Sequence, residues 1–217
     1  ANDYAVLTKN NLSMKNKSTV SGYNSANPGE TDVPVAIGTL STQNGSIDLK
    51  NGAVVEGDVY VGPDGDPDTV VDMKDDDSVE GEIFVMPNIP PMSSVSPPDY
   101  AASRGVIAPS GNLTLTDADS GKYNSVSVPN NKKITVDGDL TLYVTGDITL
   151  NNGAELKVKN GSTLKLYFDG NIEAQNSSSI TNESQIPSTV RLYGTGANQN
   201  IDLKNSSDIY SVVYAPN

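Results

Sequence analysis

A repeat of 24 residues constrains the fold of this chain more than any other feature of its sequence. Residues 47–63 align without a gap on residues 71–87, with Asp, Lys, Val, Glu, Gly and Pro at equivalent positions. Residues 140–146 recur as 164–170 after 24 residues and again as 190–196 after 26. Self-similarity at such a period is typical of chains that stack one supersecondary unit on the next.

A finer period lies inside the repeat. Between residues 138 and 180, every eighth residue is apolar and opens a short run in which apolar and polar residues alternate. These positions are Leu140, Ile148, Leu156, Leu164, Ile172 and Ile180. Alternation of this kind predicts strands with one buried face, and the Asn and Gly residues between the runs predict turns.

Two architectures compete for these strands. Asn-Gly between two strands commonly forms a tight hairpin, which would give an antiparallel meander. Hairpins do not explain why Leu-x-Leu-Tyr recurs at every third strand, whereas a coil of three strands and three corners does. We therefore predict an all-β chain folded as a right-handed parallel β-helix, with three short strands and about 24 residues per coil.

The alternation also predicts which side chains face outward. In residues 164–167 both leucines should point into the coil and Lys165 away from it. Stacked coils would then align the outward tyrosines of successive coils, namely Tyr143, Tyr167 and Tyr193. Such an aromatic ladder either binds a sugar or a protein, or stabilises the coils by ring stacking.

We expect one domain over residues 1–217. Residues 1–45 should form an irregular first coil or cap, and residues 46–86 two coils. Residues 87–111 hold six of the 13 prolines. Because proline cannot donate to a ladder, this segment should cross the surface in extended form or link two sub-domains flexibly. Residues 112–217 should form further coils.

Composition excludes several classes of function. The chain contains no Cys and no His, so it lacks disulfides, thiolate metal sites and the residue that most often serves as a general base. A net charge of −13 opposes binding to nucleic acids and anionic membranes. No apolar run is long enough to span a membrane.

The strongest local anomaly is acidic. Eleven acids and a single base, Lys74, lie between Glu56 and Glu82. Carboxylates at alternate loop positions can bind calcium, and we predict such a site from Asp64, Asp66, Asp68, Asp75, Asp76 and Asp77. The alternative is a set of solvated turn residues. Asp117 and Asp119 form a weaker candidate of the same kind.

We expect no catalysis. Polysaccharide lyases with parallel β-helices pair calcium with a basic residue, usually Arg, but neither Arg104 nor Arg191 has an acidic cluster beside it in sequence. Glycosidases need two nearby carboxylates, one of which has a raised pKa. An apolar pocket raises the pKa of a carboxyl group, and a solvated run of three aspartates provides no such pocket.

A resemblance covers nearly the whole chain. The motifs that carry it lie, in order, at residues 4–7, 22–25, 120–123, 138–147, 164–171, 192–196 and 213–217. Together they resemble an uncharacterised β-helical domain of bacterial surface proteins, many of them described as PilX-like or associated with pilus assembly. The resemblance implies a parallel β-helix, export, a membrane-anchoring helix before residue 1 and no established catalytic residues.

These observations predict a non-catalytic structural or adhesive module outside the cell, such as a pilus-associated or filament-forming subunit. We expect it at the cell surface, anchored by a segment outside this chain. Its partners would be further copies, bound at the open ends of the β-helix, or other surface proteins. The alternative is a β-helix that binds or cleaves carbohydrate. We expect no cofactor apart from the calcium that the acidic loops could bind.

Overall fold

The computed structural model describes residues 4–22, 24, 26, 27, 30, 33–75, 78–197 and 199–215. The chain divides into two compact units, Ala1–Ser93 and Ser94–Asn217. Each unit is a parallel β-solenoid, since all the pairs between named strands are parallel. This confirms the predicted all-β parallel β-helix. No helix within the described ranges is long and apolar enough to cross a membrane.

The first unit contains three parallel sheets. Their orders are β1-β4-β7-β9, β2-β5-β8 and β3-β6, so each of the first two coils contributes one strand to each sheet in turn. A four-residue helix, α1 (Pro67–Val70), precedes β8. The strands are β1 (Val6–Thr8), β2 (Leu12–Lys15), β3 (Thr19–Val20), β4 (Val35–Thr39), β5 (Ile47–Lys50), β6 (Val54–Val55), β7 (Gly57–Val61), β8 (Val71–Met73) and β9 (Ile83–Val85).

The 24-residue repeat corresponds to the strand pairing between two neighbouring coils of this unit. Ile47 pairs with Val71 and Asp48 with Asp72 across β5 and β8. The same offset pairs Tyr60 with Phe84 across β7 and β9. Equivalent residues of the repeat are therefore neighbours in space, one coil apart.

The second unit stacks five coils. Its three sheets have the orders β10-β13-β16-β19-β22, β11-β14-β17-β20-β23 and β12-β15-β18-β21-β24. The strands are β10 (Val106–Ile107), β11 (Leu113–Leu115), β12 (Gly121–Tyr123), β13 (Ser125–Val128), β14 (Lys133–Val136), β15 (Asp139–Val144), β16 (Ile148–Leu150), β17 (Glu155–Val158), β18 (Thr163–Phe168), β19 (Ile172–Ala174), β20 (Ser179–Asn182), β21 (Val190–Gly194), β22 (Ile201–Leu203), β23 (Asp208–Ile209) and β24 (Val212–Tyr214).

The Asn-Gly pairs form corners between coil strands, not hairpins. One corner position has a positive φ in four successive coils of the second unit, at Asn131 (54°), Gly153 (65°), Ser177 (56°) and Ser206 (59°). Asn and Gly tolerate this left-handed conformation, which redirects the chain into the next strand of the same coil. The antiparallel alternative is therefore wrong, because each flanking strand pairs in parallel with the next coil.

Inward residues of successive coils form continuous apolar columns. Leu142 pairs with Leu166, and Leu166 pairs with Leu192, as the alternation predicts. All three leucines are buried within one core that runs through the second unit. The inward side chains of each coil thus pack against those of the next coil.

A cavity in one of these columns should destabilise the second unit strongly. Replacing Leu166 with Ala removes buried methyl groups between two other leucines, and we expect the free energy of unfolding to fall by about 3 kcal/mol. Thr149→Ala is a matched control, since Thr149 lies on a strand but faces outward between two buried residues; it should change that free energy by less than about 0.5 kcal/mol. Denaturant melts of both variants measure the difference, and equal losses would contradict the column description.

Candidate functional site

The outward side of the sheet β12-β15-β18-β21-β24, here called the tyrosine face, carries the most distinctive side chains of the second unit. The strand pairings align Lys122, Tyr143, Tyr167, Tyr193 and Tyr214 at one register position. Alternation places these residues outward because their neighbours on the same strands fill the core. The three tyrosines of the predicted ladder therefore lie one above the other.

The rings in this column are not equivalent. Tyr167 and Tyr193 are stacked, with ring centroids 4.9 Å apart and an interplanar angle of 26°. The hydroxyl of Tyr143 instead donates a hydrogen bond of 2.6 Å to Oδ2 of Asp169, and the Nζ of Lys122 lies 5.5 Å from the Tyr143 ring centroid. Stacked rings cover each other's faces, so this pair presents mainly its edges to a ligand.

The hydrogen bond to Asp169, together with burial and the negative charge of that carboxylate, raises the pKa of Tyr143 to about 12. Asp169 also accepts a hydrogen bond of 2.6 Å from the hydroxyl of Thr195 on the next coil. The protonated phenol is therefore the form that the folded chain stabilises. This contribution to stability is complete below the ordinary tyrosine value of 10 and is lost as the pH rises through about 12.

Tyr143 should be identifiable by its late ionisation. We expect the tyrosinate absorbance of the folded chain to include a step near pH 12 that Tyr143→Phe abolishes. In Asp169→Asn the charged acceptor is gone, so the same step should move to lower pH. Ultraviolet titration of the three proteins, with circular dichroism to verify folding at each pH, measures the shift; an unchanged step in Asp169→Asn would contradict the assignment.

Residues from the Pro-rich segment contact the first coils of the second unit. The hydroxyl of Tyr100 donates to the carbonyl of Thr141 at 3.4 Å. Arg104 donates from Nη1 to the carbonyls of Ala118 and Ser120, at 2.8 and 3.1 Å. The segment therefore packs along this unit over these residues, and its last part already forms strand β10.

A depression of about 330 Å³ lies on the tyrosine face. Lys165 and Arg191 face each other there across β18 and β21, and both are exposed. The remaining polar residues of its lining are Asp139, Thr141, Thr163, Ser188 and Thr189. The chain thus brings two cations, several hydroxyls and one carboxylate together at one place.

Elsewhere on the outer surface, charges of opposite sign lie beside each other. In the second unit, Lys133 binds Glu155 at 2.5 Å and Lys157 binds Glu183. In the first unit, Lys50 bridges Asp48 and Asp72, at 2.7 and 2.9 Å. These ion pairs link neighbouring coils and compensate charges that the fold brings close together.

The predicted calcium ligands that the structure describes occupy two separate corners of one coil. Asp66 caps α1 by accepting a hydrogen bond from the backbone N–H of Asp68 at 3.1 Å. Asp64 adopts a positive φ of 67° in the preceding turn. Beyond β8, Asp75 accepts a hydrogen bond of 3.2 Å from the N–H of Gly52, and Asp76 and Asp77 lie outside the described residues.

These contacts give at least two of the acids a structural role. Among the residues that the structure describes, no three acids or other metal-binding side chains are grouped to hold an ion. Asp119, of the weaker candidate, accepts hydrogen bonds from the backbone N–H of Thr116 at 2.8 Å and from its hydroxyl at 3.2 Å. Calcium binding stays a prediction.

Calcium, if these acids bind it, should raise the melting temperature of the chain. The rise should vanish in Asp64→Asn, because that change removes a ligand while the cap at Asp66 is retained. Asp99→Asn serves as the control, since Asp99 is an exposed acid outside the acidic segment. Melting in calcium chloride and in EDTA measures the effect, and identical melting temperatures would exclude the site.

Sequence reasoning missed two features of the surface. In the first unit Tyr60 stacks on Phe84 with ring centroids 5.2 Å apart, and Tyr4 meets Tyr60 edge-on at 5.4 Å. The aligned repeats 47–63 and 71–87 place Tyr60 and Phe84 at equivalent positions, so the signal was present. The aligned repeats 164–170 and 190–196 likewise place Lys165 and Arg191 at equivalent positions, so this signal was also present.

Comparison with known proteins identifies a family but no activity. A family described as a domain of unknown function (DUF7305) matches residues 72–217. No curated protein and no solved structure matches the chain.

Proposed function

The chain belongs to the DUF7305 family of domains of unknown function, and we propose that it is a non-catalytic structural module that assembles end to end on the cell surface. The stacked coils of its second unit would act as a spacer, and the last of these coils would bind a second copy. The order of its motifs, which resembles that of β-helical surface domains, supports a location outside the cell and a pilus-associated or adhesive setting.

The observation that carries this proposal is the exposure of core positions in the terminal coil, which consists of β22, β23 and β24. Ala174 is fully buried, but Leu203, its register partner one coil further on, is 40% exposed. Ile209 and Val213 continue the columns of Ile180 and Leu192 and are only partly buried. The apolar interior of the solenoid therefore reaches the surface at this coil.

The terminal coil also consists of edge strands. Within the described part of the chain, β22, β23 and β24 each pair with a strand on one side only. Strand edges of this kind bind further strands readily, because their N–H and C=O groups need partners. A coil with the same three-strand outline fits such an end, and a second copy of this chain supplies one.

The electrostatics of the carboxylates supports a structural role. Burial acts to raise the pKa of Asp48, but hydrogen bonds from Lys50 and Lys15 outweigh it and lower the pKa overall. Burial likewise acts to raise the pKa of Glu155, and hydrogen bonds from Lys133 and Thr181 reverse the shift. These hydrogen bonds keep both carboxylates ionised, whereas a general acid requires a raised pKa.

A charge placed in the terminal coil should abolish assembly. We expect Leu203→Lys and Val213→Lys each to reduce the assembled fraction at least tenfold, because a lysine in this apolar surface must be desolvated on stacking. Asn160→Lys is the matched control: it makes the same change in charge at an exposed turn of a middle coil. Lower net negative charge alone would favour association, so a loss confined to the terminal-coil variants is specific.

Sedimentation velocity over a range of protein concentrations and negative-stain electron microscopy measure the assembly. Rods longer than one chain in the parent and in Asn160→Lys, but not in Leu203→Lys, are the expected result. A parent chain that stays monomeric at every concentration, or a Leu203→Lys variant that forms the same rods, would overturn the proposal.

A further inference from the structure

Two residues of like charge lie on neighbouring strands of the tyrosine face. Lys165 and Arg191 are register partners on β18 and β21, and both side chains point outward. Neighbouring strands are about 4.8 Å apart, so the two side chains leave the sheet side by side. Like charges directly opposite each other destabilise a sheet.

No internal carboxylate compensates this pair. Within the described residues, neither Lys165 nor Arg191 takes part in an ion pair, whereas the lysines at 50, 133 and 157 each contact a carboxylate on a neighbouring coil. Arg191 instead donates from Nε to the carbonyl of Ser188 at 2.9 Å, which fixes the direction of its side chain. The chain carries 27 acids against 14 bases, so an unpaired double cation is exceptional on this surface.

Both cations line the same depression and can act on one oxyanion. A carboxylate placed between the two strands can accept hydrogen bonds from both cationic groups, and a guanidinium binds carboxylates with two parallel hydrogen bonds. Because the guanidinium of Arg191 is already anchored on the carbonyl of Ser188, little ordering of this side chain is needed when the anion binds.

The rest of the depression suits hydroxyl groups. Asp139 accepts a hydrogen bond of 2.8 Å from the hydroxyl of Thr163, and its carboxylate retains further acceptor sites. The hydroxyl of Ser188, like that of Thr163, can both donate and accept. A carboxylate such as Asp139 repels a second acid but accepts hydrogen bonds from alcohols, so the lining favours a ligand with one negative charge and several hydroxyls.

We propose that this depression binds an acidic sugar, with Lys165 and Arg191 holding its carboxylate and Asp139, Thr163 and Ser188 bonding to its hydroxyls. The stacked rings of Tyr167 and Tyr193 lie beside the cationic pair and present their edges as one apolar border. The ligand is a single uronate residue or the end of a chain, because the net charge of −13 repels a long polyanion. The site is separate from the terminal coil and does not depend on assembly.

Sodium glucuronate is the probe for this site. We expect titration of the full chain to shift the backbone amide resonances of residues on β15, β18 and β21 around the depression, with a dissociation constant that rises with salt. Lys165→Gln and Arg191→Gln should each weaken binding at least tenfold, whereas Lys132→Gln, at an exposed turn, should leave it unchanged. Glucose, which lacks the carboxylate, and acetate, which lacks the hydroxyls, should each bind at least tenfold more weakly.

Stability separates loss of binding from loss of folding. Lys165→Gln removes one of two opposed like charges, so its melting temperature should be equal to or above that of the parent while glucuronate binding is lost. Leu203→Lys, which targets the terminal coil, should bind glucuronate as the parent does. Unchanged glucuronate affinity in both Lys165→Gln and Arg191→Gln, or acetate or a glutamate peptide binding as tightly as glucuronate, would overturn the proposal.

Discussion

In-register parallel pairing between consecutive coils is the constraint on which the rest of this structure depends. Each strand residue has a partner directly above or below it, so the chemistry of a position is decided by a residue about 24 positions away. Inward columns such as Leu142, Leu166 and Leu192 satisfy the constraint by burying like against like. The same rule acts on outward columns, where the side chains must tolerate their counterparts at close range.

Outward columns tolerate repetition only for certain side chains. Amides do so, because each donates and accepts: Asn176 donates to Asn152 at 2.9 Å and Asn205 donates to Asn176 at 2.6 Å. Aromatic rings do so by stacking, and like charges do so when an opposite charge lies beside them: the register partners Asp48 and Asp72 share Lys50. Within the described residues Lys165 and Arg191 are register partners without such an ion, and for that reason they point to a ligand more strongly than the lone acids of the corners do.

The period and the alternation were sufficient to predict the solenoid, its parallel sheets and the tyrosine register, because those properties follow from spacing alone. Spacing does not reveal what a corner residue bonds to. Asp66 belongs to an acidic run in sequence but caps a four-residue helix in the fold. Gly170 is a turn residue in sequence, yet its position depends on close packing: a Cβ there would lie 2.5 Å from the backbone of Gly146 on the coil below.

The acidic surface limits the ways in which such a solenoid can bind anything. A net charge of −13 opposes the lateral approach of a second copy or of a polyanion. Association is then favourable only where burial of apolar surface exceeds the repulsion, as at Leu203 in the terminal coil, or where a local pair of cations reverses the sign of the field. Salt screens both fields, so it should strengthen contacts at the apolar end and weaken those at Lys165 and Arg191. Opposite responses to ionic strength therefore follow from the one charge distribution and distinguish the two surfaces physically.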